Sequence, residues 1–418
     1  MKFNRRQFIQ TSVGAGLAAS LAGSAQATVP DKPIFEKLDE AAARPVLKRE
    51  YFPDPVIIDS IELLHYNGNY LCRVRSKGGA EGYCVSHNNR MPHLFPIQLM
   101  RVNPFFEGKD ARDLDELVMT GVMMHKNNYK YQGYAFWIPL ATAEMAILDM
   151  LGRIAGKSMG ELIGDIHNTE IAIYRANNNR GRSAEESLER IKALQAETGA
   201  KAVKFKVGGR RSNPERPPGR TERMIPMMRK AFPDDISIYA DCNGSYDAEE
   251  AIRIGRILQA NEIDMFEQPV PTDYYESWKA VADALDIPIG SGGGEFSIRN
   301  FRWLIGNNAV QMVQQDLFYF GGMIRCMKVA RMAEAAGMLC TPHISGTGLG
   351  YIYMMQFVSA VPNAGPYHEY KGLSEDIPFE CKTSSLRPEN GILHLPRGIG
   401  SGIEIDPDFI KKHRILSV

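Results

Sequence analysis

"AVKFKVG", residues 202–208, has the make-up of a buried strand and yet carries two lysines. Side chains alternate along a strand, so Lys204 and Lys206 share a face while Ala202, Val203, Phe205 and Val207 supply the apolar context. Two ammonium groups side by side repel, and burying either one is costly unless a partner or a task offsets the cost. Similar short runs recur around it: "EIAIYRA" (170–176), "ISIYADCN" (236–243), "IDMFEQP" (263–269), "IPIGSGGGE" (287–295), "AVQMVQQD" (309–316), "MLCTPHI" (338–344) and "GPYHEY" (365–370). Amphipathic stretches such as "AEESLERIKALQAETG" (184–199), "DAEEAIRIGRILQAN" (247–261) and "MIRCMKVARMAEAAG" (323–337) lie between them. Strands alternating with helices at this spacing predict a parallel sheet, and eight strands favour a closed barrel over an open one. No GxGxxG fingerprint opens a helix after the first strand, which counts further against the open sheet. The predicted fold class is therefore α/β, a (β/α) barrel.

Working outward, residues 50–168 read as an α+β capping domain. "VIIDSIELLHY" (56–66), "YLCRVRS" (70–76) and "YCVS" (83–86) are strands joined by the turns "NGN" and "KGGAEG", and residues 111–163 follow as a helical block. The barrel is assigned to 169–374, and a C-terminal segment, 375–418, is expected to pack back on the capping domain. The chain opens with "MKFNRRQFIQTSVGAGLAASLAGSAQA", in which Arg5 and Arg6 precede a mildly apolar stretch and a small-x-small end. Residues 1–27 thus read as a twin-arginine export signal cut after Ala27, which places the folded protein in the periplasm.

The 49 basic and 49 acidic residues cancel, so no surplus points to nucleic acid or an anionic membrane as the main partner. After the leader no apolar run is read as reaching the ~20 residues of a membrane span. A homo-oligomer is expected. The six cysteines show no CxxC pattern, which argues against a thiolate metal site. Cys72 and Cys84 flank a turn on paired strands and are candidates for a bridge in an oxidising compartment.

The informative pattern is the polar residue that ends each strand. After the lysines come Asp241, Glu267, Glu295, Asp316, His343 and Glu369, at gaps of 26, 28, 21, 27 and 26 residues from Asp241 onward. In a barrel of this kind the C-terminal strand ends converge on one mouth. Three carboxylates on adjacent strands, Asp241, Glu267 and Glu295, would repel unless protonated or bridged by a cation, and all-oxygen ligation with no thiolate selects a hard ion, Mg²⁺. Asp316 would orient His343 and raise its basicity. Lys206 would serve as a base if Lys204 and the cation lower its pKa. Such a site suits abstraction of a proton α to a carboxylate, with the cation stabilising the enediolate.

The motifs "KFK", "DCN", "FEQP", "GGGE", "QQDLFYFGG", "TPHISG" and "HEY" resemble the strand ends of the enolase superfamily, mandelate racemase subgroup, over residues 50–410. The resemblance implies Asp241, Glu267 and Glu295 as Mg²⁺ ligands and Lys206 as a base tuned by Lys204. It implies His343–Asp316 as the opposing acid or base, Glu369 as a hydrogen-bond donor to the enediolate, and Asn243 as a substrate contact. Arg175 with Asn177 and Asn178 after the first strand reads as a contact to a substrate carboxylate or hydroxyl, or else as a surface loop, and this segment and the "SHNNR" loop of His87 suit a polyhydroxy ligand. The insertion "GGRRSNPERPPGRTE" (208–222) reads as an anion-binding lip or as a solvated loop. The expected reaction is dehydration of a sugar acid. Racemisation or epimerisation, and cycloisomerisation, stay open, as does a non-catalytic periplasmic sugar-acid binder on the same fold.

Overall fold

The computed structural model describes residues 32–177, 180–211, 213–345, 349–373 and 376–418. The leader and Asn178 lie outside the described residues. The capping domain holds an antiparallel meander, β1 (Ile58–Tyr66), β2 (Asn69–Ser76) and β3 (Glu81–Val85). Asn67 and Gly68 both take positive φ at its first turn, the conformation a tight Asn-Gly hairpin requires. Cys72 and Cys84 stand opposite each other in register on β2 and β3, buried, and both are free thiols.

Eight parallel strands follow: β4 (Glu170–Arg175), β5 (Ala202–Lys206), β6 (Ser237–Asp241), β7 (Met265–Glu267), β8 (Ile289–Ser291), β9 (Met312–Val313), β10 (Leu339–Cys340) and β11 (His368–Tyr370). Their spatial order is β10-β9-β8-β7-β6-β5-β4-β11. A bridge between Cys340 and Ala364, on the segment entering β11, links the two ends, and the sheet curls into the barrel that the alternation predicts.

The period of two explains why the site sits at one end of this barrel. Tyr174, Ala202, Tyr239, Met265 and Met312 meet in a separate small core inside the ring. Two residues further along four of these strands stand Lys204, Asp241, Glu267 and Gln314, on the same inward face. Each of these strands therefore contributes one floor residue and, one step toward the C-terminal mouth, one polar residue above it. Val203, Phe205, Ile238 and Ala240 point outward into the larger core under the helices.

The helix Tyr134–Ala155 carries the capping domain on the barrel. By length and composition it is apolar enough to cross a membrane, a feature missed in the sequence reading; 94% of its apolar window is buried in the protein, which makes it the core helix. Its two buried acids are ties. Glu144 accepts hydrogen bonds from the Met323 and Ile324 amides (3.0 and 2.8 Å) at the start of the helix Met323–Ala335. Asp149 accepts from Tyr83 N and Ser401 N (2.9 and 2.8 Å).

Two terminal elements complete the fold. The helix Ile34–Ala43, which the sequence reading left unassigned, docks on barrel helices through Asp39, paired with Arg302 at 2.5 and 2.7 Å. The C-terminal segment forms β12 (Phe379–Glu380), β13 (Ile392–His394), β14 (Glu404–Ile405) and β15 (Arg414–Ile415). β13 pairs antiparallel with β4 of the barrel and β15 with β1 of the capping domain.

Candidate active site

Strand register assembles the first half of the site. Lys206 lies opposite Asp241, and Asp241 opposite Glu267. The Lys206 ammonium donates to Asp241 Oδ2, and burial holds this amine below its ordinary pKa, with Lys204 pushing the same way and Asp241 opposing. Lys204 is locked more tightly. Its Nζ sits 3.1 and 3.0 Å from the two Glu267 oxygens, 2.9 Å from Glu369 Oε1 and 3.2 Å from the Tyr174 hydroxyl. Burial alone would lower its pKa, but Glu267 and Glu369 outweigh that and hold the ammonium well above its ordinary value. The two lysines thus have different environments: one is a fixed cation and the other is a destabilised one.

The opposing half comes from β9, β10 and β11. His343 Nδ1 lies 2.8 Å from Asp316 Oδ2, while the Phe318 and Tyr319 amides and Ser345 Oγ fix the other Asp316 oxygen at 2.9, 2.8 and 2.7 Å. His343 Nε2 faces Glu369 Oε2 at 3.9 Å. The expected dyad is therefore formed. Glu369 corrects an expectation: it stands as an acceptor, taking hydrogen bonds from Lys204 and from Ile344 N (3.1 Å), with the Lys371 ammonium paired to it at 3.1 Å. Burial would raise its pKa, but the Lys204 and Lys371 charges hold it well below the carboxylate range. An ionised carboxylate has no proton to donate.

Glu295 is the second correction. Glu267 is in register with Gly290, not with Glu295, which follows the glycine run Gly292–Gly294 past the end of β8. A Cβ on Gly293 would come within 2.9 Å of the His343 ring, so the chain passes too close to the imidazole for any other residue there. The turn sends the Glu295 carboxylate to the start of the helix Ile298–Gly306. There it accepts from Phe296 N (2.7 Å), Ser297 N (2.9 Å), Asn300 Nδ2 (3.1 Å) and the Tyr275 hydroxyl (2.8 Å). Four donors and a helix N-terminus hold it away from the other two acids. Among the described residues no group of three or more His, Cys, Asp and Glu side chains is close enough to hold a metal. Asp241 and Glu267 remain, both within reach of Lys204 Nζ at 3.8 and 3.0 Å. Two buried carboxylates with amide side chains beside them are an all-oxygen set of the size Mg²⁺ uses when waters or substrate complete its shell.

Two lobes of one mouth open on these groups. The first, about 390 Å³, is lined by Glu267, Gln268, Gly292–Gly294, Gln314 and Tyr134 of the capping domain. The second, about 860 Å³, is lined by Lys206, Glu369, Arg175, Asn177 and His87. Asn243, His343, Tyr319, Arg90 and Arg210 border both. Asn243 donates to Asp241 through N (2.9 Å) and Nδ2 (3.2 Å) and takes a bond from Arg180 (2.6 Å). Asn177 donates to the Lys204 carbonyl. His87 is 2% exposed, stacked on Tyr319, and neither ring nitrogen has a partner among the described residues.

Several site residues escaped the sequence reading. Gln314 donates to Glu267 at 3.0 Å, and Lys371 pairs with Glu369. Both stand two residues from an identified strand-end acid, so the alternation that found Asp316 and Glu369 also marks them. Tyr134, whose hydroxyl donates to Gly294 O, and Arg180 carry no such signal; they arrive from elsewhere in the chain. The Arg210–Arg211 part of the basic insertion reaches the mouth, in left-handed backbone.

The model of the enolase C-terminal domain-like family matches residues 186–409. An arabinonate dehydratase from Saccharolobus solfataricus is 26% identical over 278 residues, 66% of this chain and 72% of that protein. A D-galactarolactone cycloisomerase from Agrobacterium fabrum is 29% identical over 292 residues, 66% of this chain and 74% of that one. In structure, a mandelate racemase/muconate lactonizing protein from Paracoccus denitrificans complexed with magnesium superposes with a TM-score of 0.77 at 23% identity, covering 87% of this chain and 100% of that chain.

Proposed function

The chain belongs to the enolase C-terminal domain-like family, and on that premise we propose that it is a Mg²⁺-dependent sugar-acid dehydratase. The observation that carries this reading is one cavity lined by a destabilised lysine, Lys206, and by His343, whose Nδ1 side is held by the buried Asp316. Lys206 removes the α-proton of the substrate carboxylate. His343, its Nδ1 side anchored by Asp316, delivers a proton from Nε2 to the β-hydroxyl, the C–O bond breaks, water leaves, and the enol product tautomerises to a 2-keto acid. Lys204 holds fixed positive charge against the electron density that builds at the carboxylate. Mg²⁺, when held by Asp241 and Glu267, supplies further Lewis-acid stabilisation of that charge. His87 and Asn177 offer hydrogen bonds to substrate hydroxyls.

Purified protein with Mg²⁺ and a panel of sugar acids in D₂O tests the reading. Deuterium at the α-position together with a 2-keto acid product supports it. Exchange with a stereoisomer or a lactone as product moves the assignment to racemisation or cycloisomerisation, which opposed bases also allow. Absence of exchange across the panel supports a binding protein instead. Export rests on the leader at residues 1–27; a mature N-terminus at Thr28, measured by mass spectrometry on protein from its native host, supports it.

A further inference from the structure

The second lobe of the mouth carries an excess of positive charge that α-proton abstraction does not use. Arg90, Arg175, Arg182, Arg190 and Arg210 line it, and Glu369 is the one carboxylate among its lining residues. Glu369 is already matched by Lys204 and Lys371. None of the five arginines has a carboxylate within 4.0 Å among the described residues. The chain as a whole is neutral, so this imbalance is a local arrangement. Like charges facing one shared space raise the free energy of the empty chamber and favour an anion within it.

Arg175 gives the second, independent sign. It is only 8% exposed, yet its Nε has no hydrogen-bond partner among the described residues. Its Nη1 bonds only the carbonyls of Ala176 (2.9 Å) and Tyr370 (3.3 Å). Burial holds the guanidinium below its ordinary pKa, and the more distant Glu197 offsets only part of the loss of water. A buried guanidinium that borders a cavity and has no carboxylate partner among the described residues is costly unless an anion in that cavity supplies one.

The bases fix where one end of the substrate lies. Lys206 and His343 must flank its α-carbon, which sets the reacting carboxylate at the border of the two lobes. Neither the bases nor the acid pair needs five further arginines. We propose that the substrate is a dianion, with a second anionic group, a carboxylate or a phosphate ester, at the end remote from the reacting carboxylate and held by Arg175 and the arginines beside it. This deepens the sugar-acid reading and rests on it for the position of the reacting end. A chamber of about 860 Å³ has room for a six-carbon chain with both termini charged.

The test uses matched pairs that differ at one terminus: galactonate with galactarate, gluconate with glucarate, mannonate with mannarate, and 6-phosphogluconate as the phosphate arm. Binding to the Mg²⁺-loaded protein is measured by calorimetry, and α-proton exchange in D₂O by NMR. In at least one pair the dianion binds ten-fold or more tightly than its monoanion; preference for glucarate or for 6-phosphogluconate identifies the second group. Arg175→Gln lowers that preference at least ten-fold. Arg190→Gln, at an exposed rim position with no side-chain hydrogen bond among the described residues, lowers it about three-fold and serves if Arg175→Gln fails to fold. Affinities within three-fold across all pairs, or a preference unchanged in both variants, overturn the proposal. Exchange with monoanions at no dianion preference sinks the proposal and leaves the dehydratase reading standing. Arg175-dependent dianion binding without any exchange sinks the dehydratase reading and supports the anion site.

Discussion

Replacing Lys204 by methionine separates the two lysines by role. The side chain keeps its length, so little cavity is opened and the loss is electrostatic. The ammonium lies 3.0 and 3.1 Å from Glu267, 2.9 Å from Glu369 and 3.8 Å from Asp241, and Glu267 and Glu369 are 5% and 1% exposed. Removing one partner of a buried pair leaves an uncompensated charge at about 3–5 kcal/mol. Gln314 still serves Glu267, and Ile344 N and Lys371 still serve Glu369, which places the expected loss near the lower end, about 3 kcal/mol. The sign with pH follows. In the native protein Glu369 is held below its ordinary pKa, and its contribution is lost as pH falls through the depressed value. Burial already holds Glu267 above its ordinary pKa, and loss of Lys204 moves both carboxyls upward, so the folded state binds protons more readily and the deficit shrinks as pH falls from 8 toward 5. Urea unfolding followed by tryptophan fluorescence at pH 8 and pH 5.5 measures this, and Lys204→Met with Glu369→Gln should regain part of the loss. A single variant within about 0.5 kcal/mol of the native protein at pH 8, the range of an ordinary surface change, refutes the account of Lys204 as the cation that holds the acids together.

Lys206→Ala is expected to abolish α-proton exchange, while His343→Asn keeps exchange and loses dehydration, each by about 10²–10⁴ in rate, read by NMR in D₂O. Glu295→Gln should leave Mg²⁺ affinity, measured by calorimetry, within two-fold of native and lower stability by about 1 kcal/mol through the weakened helix start; Asp241→Asn should cost affinity strongly. A large affinity loss in Glu295→Gln contradicts the placement of that carboxylate. His87 and His368 are buried with pKa values pushed down to about 4 by loss of water. The unfolded chain then binds the protons, so melting temperature should fall as pH drops from about 6.5 toward 4, and His368→Gln should flatten that dependence.

Alternation decided most of what the sequence determined. A period of two within each strand, repeated at intervals set by one strand, one helix and two loops, places Lys204, Lys206, Asp241, Glu267, Asp316, His343 and Glu369 at one mouth, because a parallel barrel turns chain order into angular order. Inside the strands nothing else competes for the direction of a side chain. Past a strand end that rule lapses. Glu295 sits beyond three glycines, and the amides of the next helix, a long-range consequence of how the loop packs against His343, claim its carboxylate. The charge state of Glu369 depends on Lys371 and Lys204 closing from two strands, and the unused donor of Arg175 on which carbonyls happen to surround it. Tyr134 and the helix Ile34–Ala43 reach their places only when separate parts of the chain pack together. Local pattern therefore named the residues that meet, and tertiary packing decided which of them face one another with their charges free to act.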